Sequence, residues 1–161
     1  MAKRALVTGS SSGIGFAYSK YLMNEGWDLD LVSENKDRSQ KSEMILNYEH
    51  AEYHNTDLSK KESIADIVAN FKTPDLIIAN AGIAINGAIG QLNEREKNDA
   101  YYLMCGGVID IIEGFVPKMI EKGSGRIVII SSIGAITPMP KSSIYAAAKA
   151  AIHSYGQSLS K

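Results

Sequence analysis

The stretch "RALVTGSSSGIGFAYSKYLMNEG", residues 4 to 26, carries two patterns joined by a turn. "RALVTG" is a short apolar run and reads as a strand. "GFAYSKYLMNEG" is longer and amphipathic, and reads as a helix ending near Gly26. Between them stand Gly9, Gly13 and Gly15 with Ser10, Ser11 and Ser12. Gly9 can take a backbone conformation that other residues resist. Gly13 and Gly15 let backbone approach a phosphate and let helix pack on strand. The start of the helix offers free N–H groups and a positive dipole end to an anion, and the serine hydroxyls add donors. The spacing is G-x-x-x-G-x-G rather than G-x-G-x-x-G, and no Gly-Lys-Ser/Thr follows to make a P-loop. Without a ligand, the same segment is a Gly/Ser-rich βα turn.

Outward from this unit the alternation repeats. "DLDLVS" reads as a second strand, and "KDRSQKSEMILNYE" as a polar helix candidate. "AEYHNT" is a short third strand. "SKKESIADIVANF" is a helix with Ser59 as N-cap and Glu62 three residues on, the capping-box spacing. "DLIIANAG" is a fourth strand. A long helix is expected over roughly 91 to 121, with Tyr101, Met104, Val108, Ile112, Phe115 and Met119 forming its apolar stripe. "GSGRIVIISS" supplies a turn and a fifth strand, and a last helix starts near Ser143. Nearly continuous apolar strands alternating with helices predict an α/β fold, a doubly wound parallel sheet covered on both faces. The expected strand order is 3-2-1-4-5, with a ligand at the carboxyl ends of the strands.

The 161 residues are 45% hydrophobic and 22% charged, with a formal net charge of −1. That composition predicts one globular domain and provides no basic field for nucleic acid or for a membrane surface. Cys105 is the only cysteine, which excludes an intrachain disulfide and suits a reducing compartment. No signal-peptide core or bilayer-length apolar run is present, so a soluble, cytoplasmic protein is expected. His50 and His54 lie by the third strand and His153 on the last helix; none has metal-ligand spacing, and no metal is expected.

Together with "NAG" at 80 to 82 and Tyr-x-x-x-Lys at 145 to 149, "TGSSSGIG" at 8 to 15 resembles the short-chain dehydrogenase/reductase family. The resemblance runs over the whole chain. It implies a Rossmann-like domain over 1–161 that holds NAD or NADP. The glycine motif would place Gly9, Ser11, Ser12, Gly13, Ile14 and Gly15 at the cofactor. Asp57 in "TDLS" looks like the family's adenine-contacting Asp, with Leu58 beside it, and Asn80, Ala81 and Gly82 match the fourth-strand motif. The implied chemistry is hydride transfer between the nicotinamide and a small alcohol or carbonyl. Tyr145 would be the general acid/base. A free tyrosine ionises near pH ~10, and a nearby cation favours the phenolate; Lys149, one helical turn away, would be that cation and would also hold the ribose. Ser132, thirteen residues before Tyr145, would hydrogen-bond the substrate oxygen, with Ser131 as a structural neighbour. A homodimer or homotetramer built on the long helix and the Tyr–Lys helix is implied as well.

The sequence departs from the family at three places. The family's catalytic asparagine in the long helix corresponds to Met104, or to Cys105 if the helix carries a one-residue irregularity. Neither side chain replaces an amide. At the end of the second strand stand Ser33 and Glu34. Glu34 would repel a 2′-phosphate and could reach a hydroxyl, which leans to NAD, while Lys36 and Arg38 nearby pull the other way. The family's sixth strand, substrate loop and seventh strand have no counterpart before Lys161, so the domain reads as incomplete and "RIVIIS" as a long apolar edge strand without blunting charges or prolines. A non-catalytic dinucleotide-binding or regulatory protein is the alternative function, and a purely structural module a third.

Overall fold

The computed structural model describes residues 2–34 and 47–159. Most of the polar helix candidate after the second strand, with Lys36 and Arg38, lies outside the described residues. The elements run β1 (Arg4–Thr8), α1 (Gly13–Asn24), β2 (Asp28–Ser33), β3 (Ala51–Asn55), α2 (Lys61–Asn70), β4 (Leu76–Ala79), α3 (Glu94–Tyr101), α4 (Gly107–Lys122), β5 (Arg126–Ile129) and α5 (Ser143–Leu159).

The strands form one parallel sheet in the order β3-β2-β1-β4-β5, as the alternation predicts. Side chains alternate across it with the two-residue strand period. Leu6 and Ile77 join a cluster with Ile112 and Phe115 of α4 on one face. Val7, Leu29 and Ile78 join Leu22 of α1 on the other. Covering both faces in this way requires apolar residues at consecutive strand positions, and "ALV" and "LII" supply them.

The expected long helix is two helices joined by a π-helical turn, Tyr102–Gly106. One extra residue in the turn rotates the faces before and after it relative to each other. Tyr101 therefore leaves the buried stripe and is 42% exposed, while Ala100 takes its place. The same extra residue turns both Met104 and Cys105 inward. The helix also starts later than expected. Asn93 caps α3, with its side chain accepting from Glu96 N and Glu96 bonding back, a complete capping box. The box expected at Ser59 does not form: α2 starts at Lys61 after Lys60, and the Ser59 N–H instead donates to Asp57 Oδ1 at 2.8 Å.

β5 is only four residues long, shorter than the edge strand expected, and pairs with β4. Beside it lies an apolar groove of ≈ 470 Å³ lined in part by Met119, Ile120, Ile127, Ile129 and Leu159. No helix among the described residues is long and apolar enough to cross a membrane.

Candidate functional site

At the carboxyl ends of the strands, a groove of ≈ 430 Å³ runs from Ser33 and Glu34 past Gly9, Ser11 and Ser12 to Asn80 and Gly82. Gly9 has φ +66°, and a Cβ there would stand 2.8 Å from Asn80 Nδ2 and 2.9 Å from Ala81 Cα. At Gly15 a Cβ would come within 2.2 Å of the Gly9 carbonyl oxygen. Both positions thus exclude a side chain: the first by conformation and crowding, the second because helix meets turn backbone.

The turn is braced from β4 and β2. Thr8 Oγ1 accepts the N–H groups of Asn80 and Ala81 at 3.0 and 3.1 Å and donates to the Ile78 carbonyl at 3.3 Å. Asn80 Nδ2 donates to the carbonyls of Thr8 and Gly9 at 3.0 and 3.2 Å. Asn80 is therefore a buttress of the glycine turn as well as part of the groove wall. From β2, the buried Ser33 hydroxyl donates to Ser11 Oγ at 2.7 Å. Thr8 stands in the glycine motif and Ser33 at the end of the second strand, but the bonds their hydroxyls make had no signal beyond a hydroxyl at a strand's carboxyl end, which is common in many contexts.

The groove fits a dinucleotide. Ser12, the N-cap of α1, makes no side-chain cap bond, so the first-turn N–H groups face the groove without that competitor. Ile14, Leu58 and Ala81 add apolar wall, and Glu34 stands exposed at the far end. Asp57 is outside this lining; one of its oxygens is taken by Ser59 N–H. Gly13 and Gly15 also lie outside the lining, acting on the shape of the turn.

A second cleft, of ≈ 600 Å³, shares Ile14, Asn80, Gly82 and Ile83 with the groove and contains Ser132, Tyr145 and Lys149. The turn after β5 presents Ser132, whose Oγ accepts the Gly134 N–H at 3.1 Å, leaving its proton to donate elsewhere. The first turns of α5 present Tyr145 and, four residues on, Lys149. Lys149 is 5% exposed, and its Nζ donates to the Ile130 carbonyl at 2.8 Å. Burial pushes its pKa below the ordinary lysine value. The ammonium lies 5.9 Å from the centre of the Tyr145 ring. Ser131, the expected structural neighbour, has a buried Oγ without a hydrogen-bond partner among the described residues.

Met104 is fully buried, packed with Ala100, Cys105 and Ala148 under Tyr145. Its Cγ and Sδ lie 3.5 and 3.7 Å from the point where a Cβ on Gly82 would stand. Even with the π turn, then, it is Met104 that backs the "NAG" segment. Among the described residues, the side chain nearest that point is Met104, not an amide.

His54 lies within β3, where its ligand-type nitrogen clusters with carboxylate oxygens of Asp30 and Glu52 within 4.8 Å, a grouping its sequence spacing did not reveal. Arg4 Nη1 already bonds both Asp30 oxygens, at 3.2 and 3.0 Å, so the grouping is a charged brace between β1, β2 and β3.

Residues 3–161 match the short chain dehydrogenase family. An oxidoreductase of Staphylococcus epidermidis is 30% identical over 99% of this chain and 70% of its own length. A short-chain dehydrogenase structure from Streptomyces avermitilis is 31% identical, with a TM-score of 0.86, over 99% of this chain and 60% of that one. A Sphingobium yanoikuyae short-chain dehydrogenase, solved in complex with NADPH, is 28% identical with a TM-score of 0.88, over 98% of this chain and 64% of that one. The chain therefore spans between three fifths and seven tenths of the length of these relatives.

Proposed function

The chain belongs to the short chain dehydrogenase family, and from that premise we propose that it is an NAD(P)-dependent oxidoreductase acting on a small alcohol or carbonyl, with Tyr145 as general acid/base. The observation that carries this reading is the meeting of the two clefts: Tyr145, Ser132 and Lys149 line a space continuous with the braced glycine groove. When bound, the nicotinamide gives or takes the hydride. Ser132 holds the substrate oxygen with its free hydroxyl proton. Tyr145 gives its phenolic proton to that oxygen as the alcohol forms, and takes it back in the reverse direction. Lys149 keeps its charge beside the phenol and turns its remaining N–H donors to the ribose, one being spent on Ile130.

In this reading Gly9, Ser11, Ser12 and the first turn of α1 receive the pyrophosphate, and Glu34 receives the adenosine ribose. An acidic side chain there favours a hydroxyl over a 2′-phosphate, so between NAD and NADP this reading leans slightly to NAD. When intact, the protein acts as a cytoplasmic homodimer or homotetramer, with residues 1–161 belonging to a single dinucleotide-binding domain.

The test is reduction of a carbonyl panel with NADH and with NADPH by wild type and by Tyr145→Phe. Wild-type turnover falling by about 100-fold or more in the variant, with NADH fluorescence binding kept, is the expected result. Equal turnover in the two would sink the assignment of Tyr145. A second reading, a dinucleotide-binding protein without turnover, is favoured by Met104 at the place of the family's amide. Dinucleotide binding with no reduction of any carbonyl would select it.

A further inference from the structure

Resting on the oxidoreductase reading, we propose that the substrate carries a neutral, apolar group next to its reacting carbon. The walls beside Tyr145 make the case. Ile85 packs on the same buried cluster of Ala100, Met104, Cys105 and Ala148 that supports the Tyr145 ring. Met139 lines the same cleft. Its sulfur occupies the space that a side chain on Gly134 would need, and that same point is 3.4 Å from Tyr145 Cε1. An isoleucine and a methionine, both half-buried, thus stand in the wall of the cleft that holds the phenol.

The charges agree. Among the described residues lining this cleft, Lys149 alone is charged, and its ammonium is bonded to Ile130 and sits deep beside the tyrosine. Asn86 and Ser142, the polar pair of the outer wall, face each other: the Ser142 hydroxyl donates to Asn86 Oδ1. With the Gly87 N–H on the Lys141 carbonyl at 2.8 Å, this pair ties the loop after β4 to the loop before α5. A substrate carboxylate in this cleft would find no cation among the described lining residues other than Lys149, whereas an apolar substituent gains contact with Ile85 and Met139. The two loops that leave the cleft expose further isoleucines, Ile89 on one and Ile133 and Ile136 on the other. A methionine in the wall suits varied apolar shapes, because its side chain is flexible and polarisable.

The experiment uses the full chain with saturating NADH or NADPH. Neutral aliphatic and aryl ketones are compared with 2-oxo acids and polyhydroxylated ketones of similar size. Binding is read by saturation-transfer NMR and turnover by nicotinamide absorbance. Apolar ketones are expected to bind at least about tenfold more tightly, the scale of a few methylene contacts. Met139→Gln, close to isosteric, is expected to narrow that ratio by about three- to tenfold. Charged or hydroxylated ketones binding as well as the apolar ones would overturn the proposal, as would an unchanged ratio in Met139→Gln. Preferential binding of apolar ketones with no turnover would overturn the oxidoreductase reading and, with it, the assignment of a substrate, leaving the cleft a binding site for apolar carbonyl ligands. Turnover that favours 2-oxo acids would uphold that reading and overturn this proposal, and the absence of any ketone binding would overturn both.

Discussion

Lys149 Nζ donates to the Ile130 carbonyl at 2.8 Å, so the last helix is fastened to the end of β5 by a buried cation. Burial disfavours the charged form and lowers the lysine's pKa from 10.5. The folded pKa is then below the unfolded one, and between the two the unfolded chain holds more protons. Stability therefore rises with pH through that window. The melting temperature of wild type is expected to gain on that of Lys149→Met as pH climbs from the lowered value towards 10.5. A difference that shrinks over that range would refute the burial argument. Carbonyl reduction by Lys149→Met should fall by about 100-fold or more, since the cation beside the phenol is gone.

Met104 gives a second prediction. Restoring the family's asparagine by Met104→Asn should not raise turnover. The side chain is fully buried against Gly82, Ala100 and Ala148, so an amide there lacks water and partners. A loss of about 2–4 kcal/mol is expected in urea unfolding, from the lost packing and an unsatisfied polar group. Met104→Leu, which keeps the volume, should cost under about 1.5 kcal/mol. A stable and faster Met104→Asn would show that the pocket under Tyr145 accepts a polar network.

The sheet order could be read from the sequence because both-face burial leaves consecutive apolar residues, as at Leu6 and Val7, which enter different clusters. The glycine turn could be read because Gly9 and Gly15 exclude any side chain. What escaped was set by geometry with no pattern of its own. A π turn of one extra residue left the apparent stripe from Tyr101 to Met119 intact on paper while expelling Tyr101 from it. Ser59 and Asn93 both precede a Glu by three residues, and only Asn93 forms the capping box, because Asp57 captures the Ser59 N–H first. Ser132, Tyr145 and Lys149 could be nominated only through the resemblance to the family's motifs, since an isolated Tyr-x-x-x-Lys pair is common on helices. Ile85 and Met139, which line the cleft with the tyrosine, come from separate loops and meet only in the fold.

Asp75 joins the starts of β1, β4 and β5, and should govern acid stability. Its Oδ2 accepts the Arg4 N–H at 2.8 Å and its Oδ1 the Lys122 ammonium. Burial pulls its pKa upward, but Lys122 and the Arg4 N–H outweigh it, and the carboxyl lies below 3.8. A depressed folded pKa contributes stability that is present above the unfolded value and lost as pH falls through the folded one. Asp75→Asn is expected to cost about 1 kcal/mol near neutrality, because the ion pair is partly exposed. That gap should close as pH drops below 3.8. Parallel unfolding curves at all pH values would exclude an electrostatic role.

Ser33 tests the coupling between β2 and the glycine turn. Its hydroxyl donates to Ser11 Oγ at 2.7 Å in a buried contact, fixing one wall of the dinucleotide groove from the strand that ends beside Glu34. Ser33→Ala removes the donor and frees Ser11. A buried hydrogen bond contributes about 0.5–1.5 kcal/mol net, so dinucleotide Kd should rise about two- to tenfold. Ser33→Thr keeps a hydroxyl and should recover part of the loss. NADH fluorescence titration of the three proteins measures this directly. If the melting temperature falls in Ser33→Ala while Kd stays constant, the bond serves the strand end alone. A higher Kd with thermal stability little changed, recovered by threonine, would make Ser33 a positioning residue for the turn.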